Sequence, residues 1–319
     1  MDENIRTDIL LKTAKLYFEE GLSQAEIGKI IGFSRPYVSK LIMEAQNKGI
    51  VTIKVHETLD TETSLEKKIR TKFNLIRVFA IHSKLDENSQ YKIANHAANY
   101  IPSLLQNGDI IAVDNGNTLY RCAKCMESQV DLENITVVQS GGCFTNLSYP
   151  TYGESIPFLM AQALNGIGYF YPVPAIAASP QVKNCLLEEP YIRHVRELQN
   201  QASVALFTVD SLSMGSSSNV VNSGYLSEEE LDTLVENGVV GSVFDHFIKN
   251  DGSIYSAELD EKVLSLSLDE LLKKKYRICL AQGRAKYKAV FAALRKGYIN
   301  ILIVDEDTAK AISIMANDL

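Results

Sequence analysis

The chain has 319 residues, 46% of them hydrophobic and 22% charged, the balance of a globular protein with enough length for a small domain beside a large one. That balance excludes a disordered chain, and no apolar run approaches the roughly 18 residues a membrane-spanning helix needs. The net charge of −7 argues against nucleic acid only when pooled: residues 1–55 carry 8 basic and 7 acidic side chains, and residues 23–55 carry 5 against 2.

Ile9, Leu10, Thr13, Ala14, Leu16 and Tyr17 recur at helical spacing and stop at Gly21, which predicts a first helix. Ser23 and Glu26 form a capping box opening a short second helix, with Ile27, Ile30 and Ile31 facing inward and Gly32 ending it. After Gly32-Phe33, Ser34 is expected to cap a third helix, with Pro36 in the first turn, where its missing N–H is not needed. Val38, Leu41, Ile42 and Ala45 form its buried stripe, and Gly49 stops it. These proportions are those of an all-α helix-turn-helix DNA-binding domain, placed at residues 1–55. The first turns of a recognition helix enter the major groove, so their residues must be polar and outward. Ser34, Arg35, Tyr37, Ser39 and Lys40 avoid the stripe and offer hydroxyls and cations to phosphate oxygens and base edges, while Pro36 stiffens the turn. With Ser23 and Gln24 they make up the candidate set for double-stranded operator DNA. A plain bundle with a solvated polar face is the bland alternative; the tight turn and the local cations disfavour it. "IVTIKV" then alternates like a strand, either a wing or the start of a linker, and "TETSLEKKIRTKFNL" predicts a linker helix within residues 56–75. One such unit touches few base pairs, so a homo-oligomer, dimer or tetramer, is expected.

From residue 76 to 319, short β-branched runs alternate with helical patterns: "IRVFAI", "DIIAVDNG", "ITVVQSGG", "GYFYPVPAI", "VALFTVD", "YRICLAQG" and "NILIVDED". That rhythm predicts an α/β domain with a mostly parallel sheet and ligands at the carboxyl ends of its strands. Gly116, Asn117 and Thr118 lie between a strand and a helix, where free backbone N–H groups suit an anion. Gly141 and Gly142 allow close backbone approach. Gly283 ends a strand before Arg284 and Lys286, two cations at a helix start. Each signal alone is a common turn; three in one domain weigh more.

Other features read as structural. Cys122 and Cys125 lack a second pair at metal spacing, and Asp305-Glu306-Asp307 suits a helix N-terminus, so no metal or cofactor is expected. The five histidines are scattered, and "MGSSSN" fits an anion cradle and a plain loop equally. Five irregularly spaced cysteines and the acidic start "MDENIRTDIL" point to a reducing compartment without a secretory leader, hence the cytoplasm.

On "YFEEGLSQAEIGKIIGFSRPYVSKLIMEAQNKGIVTIKV", "GDIIAVDNGNTLY", "ITVVQSGG" and "QGRAKYKAVFAALRKGYINILIVDEDTAKAI", the chain resembles the SorC/DeoR-type sugar-binding transcriptional regulators over nearly its whole length. The resemblance implies a Rossmann-like α/β effector domain, similar to sugar phosphate isomerases and deaminases, that binds a phosphorylated sugar controlling DNA affinity. It places Gly116, Asn117 and Thr118 on one side of the effector, Gly141 and Gly142 on another, and Arg284 and Lys286 on the anion, completing a candidate set with Asp245 and Gly283. Members often have Gly where Asp210 stands, and a carboxylate there would repel a phosphate; many have an acid where Ser242 stands, with Asp245 and His246 nearby here. Ser140 replaces a lysine that in some members captures a sugar aldehyde covalently, which excludes that route. The rival expectation is a sugar phosphate isomerase or deaminase with Asp210 or Asp245 as base, yet an enzyme does not need a cationic helix-turn-helix. A structural adaptor would leave the anion-friendly strand ends unexplained.

Overall fold

A computed structural model describes residues 3–51, 62–82, 87–144, 152–212 and 225–318. The expected strand at 52–55 and the "MGSSSN" segment lie outside the described residues. The chain forms two compact units, Met1–Thr61 and Glu62–Leu319.

In the smaller unit, α1 (Glu3–Ala14) runs into a π-helical turn at Lys15–Glu19, followed by α2 (Gln24–Ile31) and α3 (Arg35–Asn47). The capping box forms: Ser23 Oγ accepts from the Glu26 N–H, and the Ser23 N–H donates to Glu26 Oε2 at 2.9 Å. Gly32 closes α2 at φ 75°. Gly28 is what lets the turn fold back, since a Cβ there would lie 2.5 Å from the Phe33 carbonyl oxygen. Val38, Leu41, Ile42 and Ala45 are buried against Leu10, Ala14, Leu16 and Ile27. Arg6 grips Glu44 with two nitrogens, which holds that carboxyl near 2 and pins α1 to α3. Two expectations need correction. Ile30 is 52% exposed, because a helix of 8 residues buries only the narrow arc taken by Ile27 and Ile31. Ser34 stands at the N-cap of α3, but its hydroxyl makes no capping bond.

The larger unit begins with α4 (Ser64–Phe73). Instead of spanning a gap between domains, this helix lies on the sheet: Ile69 is fully buried, and Glu66 Oε1 accepts from the Ala80 N–H at 2.8 Å. The sheet has 7 strands: β1 (Arg77–Ile81), β2 (Ile110–Val113), β3 (Ile135–Gln139), β4 (Gly166–Tyr169), β5 (Val204–Phe207), β9 (Tyr276–Ala281) and β10 (Ile301–Asp305). Their order is β1-β10-β9-β5-β2-β3-β4, all parallel. Separate apolar cores cover its two faces, so central strands such as β5 and β10 are buried along their whole length. The chain fills β2, β3 and β4 outward, then returns to place β5 on the other side of β2. That reversal puts the topological switch point at the carboxyl ends of β2 and β5, the place where open α/β sheets bind ligands.

A second sheet is antiparallel: β6 (Val209–Ser211), β7 (Val239–Val243) and β8 (His246–Lys249). Val243 pairs with His246, leaving Phe244 and Asp245 as a two-residue turn at φ 49° and 65°. Both angles are left-handed, the signature of a type I′ hairpin. "GYFYPVPAI" yields only the short β4, because Pro172 and Pro174 cannot donate to a ladder. Among the described residues no helix is long and apolar enough to cross a membrane.

Candidate functional site

β2 runs into Asp114-Asn115-Gly116, and the Asp114 N–H donates to the Leu206 carbonyl of β5 at 2.9 Å, fixing this segment at the switch point. Gly116, at φ 137°, stands at the N-cap of the helix Asn117–Cys125, directly beyond the end of β2. The paired glycines pass equally tight. A Cβ on Gly141 would lie 2.3 Å from Ser265 Oγ, and one on Gly142 would lie 2.2 Å from the Pro174 carbonyl oxygen. Their carbonyls are held from beneath: Gln139 Nε2 donates to Gly141 O at 2.8 Å, and Asn115 Nδ2 to Gly142 O at 2.9 Å. Ser140 itself is fully buried.

Charge collects at the same edge. Asp245, on the β7–β8 turn, accepts from Ser265 Oγ at 3.1 Å, and burial followed by the Asp210 charge pushes its carboxyl up to about 6. Asp114 is held well above the usual carboxylate range, first by burial and then by Asp245. Lys286 Nζ lies 3.7 Å from Asp210 Oδ1. His246 braces the turn from behind, its ring nitrogens 2.6 Å from Asp260 Oδ1 and 3.1 Å from the Leu266 carbonyl.

Of the sequence candidates, Gly141 adjoins Asp245 and Ser265, and Lys286 faces Asp210. Gly116, Asn117 and Thr118 follow directly from Asp114, which feels both Asp245 and Lys286. Arg284 is exposed on the same 3-10 turn, Arg284–Lys286, that carries Lys286, and the Gly283 N–H donates to Asp305 Oδ2 at 2.8 Å. Asp114, Asn115 and Ser265 escaped the sequence reading. Asp114 and Asn115 were signalled by their place just before Gly116, whereas nothing in the surroundings of Ser265 marks it.

On the smaller unit, Ser23, Ser34, Arg35, Pro36 and Lys40 are exposed, and Gln24 and Ser39 are half-buried. Tyr37 is partly committed to packing, its ring 4.8 Å from that of Phe33. Cys122 is buried in the sheet core, which pushes its thiol up. Among the described residues no group of three or more His, Cys, Asp or Glu could hold a metal ion.

Residues 57–313 match the family described as "Putative sugar-binding domain". The deoxyribonucleoside regulator of Bacillus subtilis is 28% identical over 98% of this chain and 99% of its own. The transcriptional regulator YjhU of Escherichia coli is 30% identical over 95% of this chain and 93% of its own. The crystal structure of the full-length sorbitol operon regulator SorC from Klebsiella pneumoniae superposes with a TM-score of 0.83 at 24% identity, covering 98% of this chain and 99% of that one. An N-terminal helical region followed by a parallel-sheet α/β unit, a matched sugar-binding domain and relatives aligned almost end to end lead to one assignment: the chain belongs to the SorC/DeoR-type family of sugar-binding transcriptional regulators.

Proposed function

We propose that a small sugar metabolite binds at the carboxyl ends of β2, β3 and β5 and thereby sets the affinity of the N-terminal unit for operator DNA. The protein is a transcriptional regulator and not an enzyme, as its relatives are. The observation that carries the site assignment is the gathering of Asp114, Asp210, Asp245, Ser265 and Lys286 beside Gly141 and Gly142. Carboxylates accept from sugar hydroxyls, Lys286 donates to them, and the glycines let the backbone come close. We read the unit as Rossmann-like on its all-parallel sheet with these side chains at the switch point, and as isomerase-related on the family resemblance.

Arg35, Lys40, Ser34 and Ser39, with Ser23, Gln24, Pro36 and Tyr37 around them, form the DNA-facing set on a helix-turn-helix. Control follows from linkage: a sugar that favours one arrangement of a homo-oligomer changes operator affinity, and operator binding changes sugar affinity by the same factor. A sugar bound equally by both arrangements would regulate nothing. The five free cysteines fit the cytoplasm as the working compartment. The test is thermal denaturation of the purified chain against a panel of sugars and sugar phosphates. A member that raises the melting temperature of the wild type but not of Asp245→Asn supports the site; equal responses in both proteins would place it elsewhere.

A further inference from the structure

We infer that the effector is an uncharged sugar bound as a closed ring, its hydroxyls on Asp210 and Asp245 and its apolar face against the Phe144–Tyr225 aromatic pair. The inference rests on the effector-site reading above and narrows it to a ligand class.

The first ground is charge. The cation expected to grip a phosphate, Lys286, is only 19% exposed and already faces Asp210 at 3.7 Å. Arg284, two residues earlier on the same turn, is exposed. Asp210 is 45% exposed, so a phosphate drawn to Lys286 would meet an open carboxylate of its own sign. A neutral hydroxyl meets no such opposition: Asp210 accepts from it and Lys286 donates to it.

The second ground is shape. Phe144 lies two residues beyond Gly142, and its ring meets that of Tyr225 edge to face at 5.1 Å. Both are half-buried, packed against the apolar core that includes Phe247 of the small sheet. Gln139 Nε2, which donates to Gly141 O at 2.8 Å, also reaches Cys143 Sγ at 3.1 Å, and Phe144 follows Cys143, so the aromatic pair adjoins the paired glycines. An aromatic surface beside converging hydrogen-bonding groups suits a ligand with one apolar face and a polar edge. A closed sugar ring has that anatomy, and an extended open-chain polyol does not.

The test is equilibrium binding to the full chain of ribose, deoxyribose, glucose and fructose, each beside its terminal phosphate ester, with sorbitol as an open-chain control. The inference expects a free ring sugar to bind at least tenfold tighter than its own phosphate and than sorbitol. Asp210→Asn should narrow the gap between sugar and phosphate. Tyr225→Ala should weaken the sugar at least tenfold, while Tyr225→Phe retains its binding; melting curves confirm that each variant is folded. A phosphate ester that binds tighter than its parent sugar overturns the inference and leaves the effector site standing. Absence of binding by every probe to wild type and Asp210→Asn alike overturns both.

Discussion

Asp245→Asn is expected to stabilise the larger unit at neutral pH while removing its response to sugar. In the folded protein the Asp245 carboxyl is pushed from 3.8 to about 6, chiefly by burial. The folded state therefore holds this proton more tightly than the unfolded chain. The stability associated with that proton is complete below about pH 4 and is lost as the pH rises through about 6. At 1.4 kcal/mol per unit, a shift of about two units amounts to roughly 2–3 kcal/mol of destabilisation above pH 7. Asparagine carries no charge, tolerates the left-handed φ of 65°, and keeps a carbonyl oxygen for Ser265 Oγ. For a unit of this size the gain corresponds to a melting temperature higher by about 5 °C. Calorimetry at about pH 5 and about pH 8 should find most of the gain at the higher pH. An equal gain at both values, or a loss at the higher one, would refute the electrostatic reasoning. Asp114, raised for the same first cause, should give the same sign when replaced by asparagine.

Gly142→Ala places a Cβ 2.2 Å from the Pro174 carbonyl oxygen, a backbone atom that cannot swing away. A loss of at least 1–3 kcal/mol is expected in denaturant titrations, together with a weakened sugar response. Arg35→Ala should weaken binding to a specific operator by about 1–3 kcal/mol in fluorescence anisotropy, with an unchanged melting temperature because the side chain is exposed. Unchanged operator affinity would remove Arg35 from the DNA-reading set. Arg284→Ala combined with Lys286→Ala should abolish the sugar response while operator binding without sugar persists, because Asp210 loses its counter-charge. A normal response in that variant would move the ligand's donors to the N-terminus of the Asn117–Cys125 helix.

The elements legible in the sequence are those whose local chemistry and tertiary role agree. Ser23 with Glu26, Gly32, and the α3 stripe announce the small unit residue by residue, and the β-branched runs announce the parallel sheet because both of its faces are buried. The β6–β7–β8 sheet was hidden for a definite reason. Its hairpin turns on Phe244-Asp245, without the Asn-Gly or Asp-Gly pair that normally announces a type I′ turn. The structure places an acid at that strained tip, beside Ser265 from a segment distant in sequence. Asp210 was legible as an obstacle to phosphate, and only the structure pairs it with Lys286. The glycines could be read locally, whereas the side chains that converge on them come from five separated segments, and a sequence does not display that convergence.

Operator affinity measured with and without sugar tests the central claim most directly. The wild-type chain, with an operator selected by the protein from random duplexes, should change its affinity at least tenfold when saturated with the sugar that raises its melting temperature. By reciprocity, operator DNA should shift the affinity for that sugar by the same factor. A sugar that binds at Asp210 and Asp245 yet leaves operator affinity unmoved would contradict the claim that this strand-end site governs DNA binding.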